Sequence, residues 1–175
     1  MQVFSRRGFQ LRTASVETRV AYTAFLVLSA LGLATLVALA MRAGTSPGAI
    51  AIYYRGDDSE MNFGKTFWQL VETSHFHLFT VPVVVLIWSH LLYGTPTSVR
   101  LRVALTLVTF AGALLEALGP WLVRYVAGGC AWALIAGWIL LAGGAAAILV
   151  VSLLSMWGRE WMVKWFASPQ EGAPP

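Results

Sequence analysis

Residues 72–90 read ETSHFHLFTVPVVVLIWSH and hold all three histidines of the chain, His75, His77 and His90. The stretch is apolar enough to cross a bilayer. An ionisable side chain at membrane depth is costly unless it has a partner, so these imidazoles mark a functional site by default. Each helical residue turns by about 100°, which points His75 and His77 about 200° apart. A regular helix therefore cannot offer both to one metal. His75 and His90 differ by a net rotation of about 60° and a rise of about 22 Å. They share one broad side of the helix, near opposite membrane faces. Glu72, three residues before His75, lies on the same face.

The rest of the chain fits a membrane setting. It is 58% hydrophobic and 11% charged, with mean hydropathy +0.69, whereas soluble domains carry roughly 25% charged residues. The net charge of +4 is no nucleic-acid signature. The basic residues cluster beside apolar spans, where they set orientation. Cys130 is the lone cysteine and forms no C-x-x-C motif. No cleavable signal peptide is expected, because the first apolar run is long and lacks a small-residue cleavage site.

Four apolar runs predict an all-α, up-down-up-down bundle of transmembrane helices over about 20–41, 67–94, 103–119 and 131–157. Residues 1–19 form a basic tail, with Arg6, Arg7, Arg12 and Arg19 against Glu17. Ala30, Ala34 and Ala38 make a small-residue stripe that a second helix can approach. Ser46-Pro47 starts a short interfacial helix carrying Tyr53 and Tyr54. Asp57, Asp58 and Glu60 follow in a solvated turn. Pro82 kinks span two, and Pro120 breaks or bends span three. Gly143 and Gly144 give span four a point of close approach. Residues 158–175 form a basic, aromatic interfacial helix with Trp161, Lys164 and Trp165, then a disordered end. Basic residues concentrate in the N-tail, the second loop (Arg100, Arg102) and the C-tail (Arg159, Lys164). The positive-inside rule then places both termini in the cytoplasm of a bacterium, with the chain in the inner membrane.

The histidines admit three readings. They can ligate haem b, since imidazole is a usual axial ligand and the apolar wall supplies a pocket. No other span carries a histidine, so a second ligand must be methionine (Met41 and Met156 are level candidates), a second copy, or a partner subunit. They can instead be hydrogen-bonding glue between helices. They can hold a chlorophyll-type magnesium. A polar cluster of Arg55, Glu72, Glu116 and Arg124, with His75, gathers at the outer helix ends. It is either a salt-bridge lid, with Glu116 on Arg124 and Glu72 on Arg55 or His75, or a proton path or quinol site.

The segments IYYRG, ETSHFHLF, WSHLL and GPWLVR resemble a set of small four-span bacterial membrane proteins of unsettled function, over most of residues 45–125. The resemblance implies a place beside cytochromes. A fainter likeness, to haem A synthase, rests on an E-x-x-H pattern, here Glu72 and His75. Phe76 stands where that pattern has arginine, and span four has no histidine. No nucleophile–base pair, phosphate loop or H-E-x-x-H motif suggests a stand-alone enzyme, and no inverted repeat suggests a transporter. The expectation is a membrane subunit of a respiratory or electron-transfer complex, with lipid and other membrane or cytochrome subunits, or a second copy, as partners. The alternative is a non-catalytic structural or assembly subunit.

Overall fold

Four capped helices set the architecture. In each, a hydroxyl accepts a hydrogen bond from a backbone N–H of the first turn that has no helical partner. Ser15 caps α1 (Val16–Ala43) through Thr18 at 3.3 Å. Ser46 caps α2 (Pro47–Arg55) through Ala49 at 3.2 Å, with proline at the first turn. Thr66 and Gln69 form a reciprocal capping box on α3 (Phe67–Tyr93). Ser98 caps α4 (Val99–Trp121). After α4 come a π turn, Leu122–Val126, and a 3-10 turn, Gly128–Cys130. The latter leads directly into α5 (Ala131–Trp157). The computed structural model describes residues 10–57 and 61–158. Arg6, Arg7, Asp58, Glu60 and the expected interfacial helix with Arg159, Trp161, Lys164 and Trp165 lie outside the described residues.

Among the described residues four helices are long and apolar enough to span a membrane, and none of the regular elements is a strand. The protein is an all-α, multi-pass membrane bundle. Pro120 does not end α4. It sits inside the last turn, and the π turn starts two residues later. Its missing N–H leaves the Glu116 carbonyl without the usual donor, which favours a change of hydrogen-bond pattern there.

The densest packing is between antiparallel α4 and α5, and glycine makes it possible. A Cβ on Gly112 would strike the Leu141 backbone, and one on Gly119 the Leu134 side chain. From the other helix, Gly137 faces Leu115 and the Glu116 backbone, and Gly144 faces Thr109. Each helix thus places two glycines seven residues apart on the contact face, the small-residue packing that membrane helices use in place of a hydrophobic drive. Gly144 makes the expected close approach, whereas a Cβ on Gly143 would meet nothing within 4 Å.

Helix α1 is the loosest member. Leu26 and Ala43 are its buried side chains. Ala30, Ala34 and Ala38 are exposed, and the first two line an open groove of about 490 Å³ facing Ala142 and Leu149 of α5. Among the described residues the alanine stripe therefore seats no helix, and α1 touches α5 through larger side chains such as Leu26 and Leu33. At the end bearing the α3–α4 loop, Leu11 is fully buried and its N–H bonds Gly94 at 2.9 Å. Arg19, expected in the tail, lies in α1. It donates to the Met156 carbonyl at 3.2 Å and stacks over Trp157 at 4.7 Å, a cation at a helix C-terminus.

Candidate functional site

Two isolated polar residues on neighbouring apolar helices meet inside the bundle. His77 stands on α3, ten residues past Phe67 and so about 15 Å along the helix. That is well inside a hydrocarbon core roughly 30 Å thick. Glu116 stands on α4, facing it. His77 Nδ1 lies 2.7 Å from Glu116 Oε1 and 2.8 Å from Oε2. The glutamate side chain is 8% exposed and the imidazole 25%. Gly137 lets α5 press against the Glu116 backbone. A buried carboxylate needs such a partner, or it would give up its charge. Glu116 takes Nδ1, so Nε2 is the ring nitrogen left for another partner.

The remaining ring nitrogen has no partner among the described residues. His77 lines a groove of about 420 Å³ between α1 and α3, floored by Leu141 of α5. Its wall is apolar apart from a few side chains, chiefly Ser29, Thr80 and Trp88. Trp88 Nε1 donates to Ser29 at 3.1 Å and ties α3 to α1 at one end.

The other histidines lie elsewhere. His75 is exposed on α3, its ring 5.1 Å from that of Phe79. His90 is exposed on the same helix. Among the described residues no three His, Cys, Asp or Glu side chains gather as a metal site. Of the two methionines level with them, Met41 is exposed on α1 against Ile135 and Trp138, and Met156 is buried near Arg19. The α1–α3 groove itself fits haem poorly: its lining residues include no second axial ligand and no cation for the propionates.

The expected salt-bridge lid does not form. Arg124 donates to the Arg55 carbonyl, and Arg55 donates to the carbonyls of Val123 and Arg124 at 3.1 and 3.2 Å. Each arginine thus fastens the other's chain, α2 to the π turn, and neither takes Glu116, which goes elsewhere. The π turn is the reason: its carbonyls are released from α-helical pairing and take up the guanidiniums. Glu116 goes to His77 instead. Glu72 is exposed and lines a small polar cleft with Tyr53, Tyr54 and Lys65. Of the expected cluster, only Arg55 and Arg124 are brought together.

Three contributors were not foreseen. Ser74 accepts from Trp121 Nε1 at 2.6 Å, a second α3–α4 tie beside the dyad. Thr80 follows His77 by three residues and shares its groove, a spacing visible in the sequence. Tyr54, on α2 outside the spans, packs on the small core of Ile50, Val123 and Leu134. Burial pushes its phenol up, and the negative charge of Tyr53 and then of Glu116 adds to this.

Among known proteins, residues 44–161 match a family model described as a transmembrane helical domain. No curated protein and no solved structure matches the chain. The matched segment covers more than half of the sequence and runs from the start of α2 through α5, the site included. The chain belongs to this family of transmembrane helical domains.

Proposed function

We propose that this protein is a membrane subunit of a bacterial respiratory or electron-transfer complex, in which the His77–Glu116 pair takes up and returns the proton that accompanies electron movement. The single supporting observation is the pair itself: a carboxylate and an imidazole in contact at membrane depth, with His77 lining an apolar groove. An ionisable pair in that position is expensive and is the usual mark of a proton or ligand path. The positive-inside pattern orients the chain in the inner membrane with both termini cytoplasmic. The α2 end, with Arg55 and Arg124, then faces outward.

Haem b is the proposed redox group. His75 would hold one such haem and His90, about 22 Å along α3, another, each exposed where a partner cytochrome subunit or a second copy can reach it. When bound, haem would supply one-electron chemistry; the chain's part is to present imidazoles and an apolar wall. The test is a haem assay on the complex isolated from its native membrane. A b-type Soret band that is lost in His75→Ala or His90→Ala supports the reading. A colourless complex whose histidine variants still assemble contradicts it.

One observation favours a second reading, a non-catalytic assembly subunit. Polar contacts join helix to helix throughout: Trp121 to Ser74, Trp88 to Ser29, and Trp157 to Thr23 at 2.9 Å. His77–Glu116 is then one more such tie.

A further inference from the structure

The groove between α1 and α3 differs from the two open grooves beside α5. Those are lined by apolar side chains and the Gly44–Thr45 backbone turn. This one is lined by the imidazole of the hydrogen-bonded His77–Glu116 pair. We propose that it binds a lipid-soluble quinol, with a ring hydroxyl donating to His77 Nε2 and the isoprenoid tail lying along α1. The proposal rests on the reading above for the role of His77–Glu116 and adds the ligand class.

Four observations converge. First, the groove lies between two membrane-spanning helices and opens sideways, so its occupant arrives from the bilayer and must be lipid-soluble. Second, its volume of about 420 Å³ falls in the range of small-molecule sites, roughly 300–1,000 Å³. Third, its polar atoms suit a ring that bears oxygens. Glu116 holds Nδ1 of His77, which leaves Nε2 as the ring nitrogen to hydrogen-bond a quinol oxygen. Thr80, one helical turn on, has no hydroxyl partner among the described residues, and Ser29, which accepts from Trp88, still has a proton to give. Fourth, an acyl chain would leave Nε2 and the Thr80 hydroxyl unpaired in hydrocarbon, which is costly. The groove therefore favours a ligand with a polar head and an apolar tail over ordinary lipid.

Gly32 gives a clean handle. It lines the groove, and a Cβ there would meet nothing within 4 Å. Gly32→Phe should fill the groove while leaving the bundle intact. The experiment titrates the purified full chain, in phosphatidylcholine nanodiscs, with decylubiquinol and with a short-chain menaquinol under argon. Saturable one-to-one binding of either is expected in the wild type. Gly32→Phe abolishes it, and Thr80→Val or His77→Gln weakens it about tenfold, as loss of a ligand hydrogen bond does. Equal binding by wild type and Gly32→Phe overturns the proposal. So does non-saturable partitioning that is the same in all proteins, which means that the groove holds lipid only. A haem-bearing complex whose chain binds no quinol overturns this inference and leaves the electron-transfer reading standing. A colourless complex whose chain binds quinol through Gly32-lined space supports this inference and contradicts the haem assignment.

Discussion

At hydrocarbon depth an imidazole is held by whatever hydrogen-bonds it, and for His77 that is the Glu116 carboxylate at 2.7 Å. Polar pairs in membranes couple by about 0.6 kcal/mol on average and up to about 1.7. This one is charge-assisted and buried, which places it at the upper end. A double-mutant cycle of His77→Leu and Glu116→Leu, followed by unfolding in SDS, should give a coupling of about 1–2 kcal/mol. Glu116→Leu alone should be costly, as it strips the imidazole of its partner. Outside the spans, Tyr54 carries its own test. Its phenol is raised by burial, so the stability it lends is fully present below the ordinary tyrosine value of about 10 and is lost as pH climbs from there toward the raised folded value. Thermal melts between about pH 9 and 11 should show a steeper fall for the wild type than for Tyr54→Phe. The histidines were plain in the sequence because they stand alone in oil. Their partners were not. Glu116 and His77 are 39 residues apart, and only the facing of α3 and α4 joins them. Arg124, closer in sequence to Glu116, is taken by the π-turn geometry.

The start of α2 was legible at Ser46-Pro47, and that of α3 at Phe67, whereas Ser15 and Ser98 start α1 at Val16 and α4 at Val99, each ahead of the expected starts near 20 and 103. What a helix does with its small residues was less legible. Glycine and alanine spacing announces that close approach is possible and says nothing of which neighbour comes. Gly112, Gly119, Gly137 and Gly144 meet a backbone or a close side chain, while Ala30 and Ala34 look onto an open groove and Ala38 is exposed. The difference is testable on one helix. Gly137→Ala places a methyl against the Glu116 and Leu115 backbone and should destabilise by about 1–3 kcal/mol. Gly143→Ala meets nothing and should be neutral or stabilise by up to about 1 kcal/mol through helix propensity. SDS unfolding of the two variants side by side measures both.

The whole molecule is an asymmetric bundle: α4 and α5 locked by glycine, α3 set against them by the buried pair and the Trp121–Ser74 hydrogen bond, and α1 leaning outside. The asymmetry leaves the groove that reaches His77, and no periodicity in the sequence could reveal it, since it is a gap between helices. The topology itself rests on where arginine and lysine stand. In a Cys130→Ser background, Phe63→Cys should react with a membrane-impermeant maleimide in intact cells. Pro96→Cys, in the α3–α4 loop, should react only after lysis. The opposite pattern would invert the bundle and put the His77 end of α3 toward the cytoplasm. The proton role of His77 and Glu116 is tested most directly by a redox-induced infrared difference spectrum of the complex from its native membrane. A carboxyl band that changes between the reduced and oxidised states, shifts in deuterated buffer and vanishes in Glu116→Gln is the result expected. Difference spectra that are identical for wild type and Glu116→Gln would contradict the account.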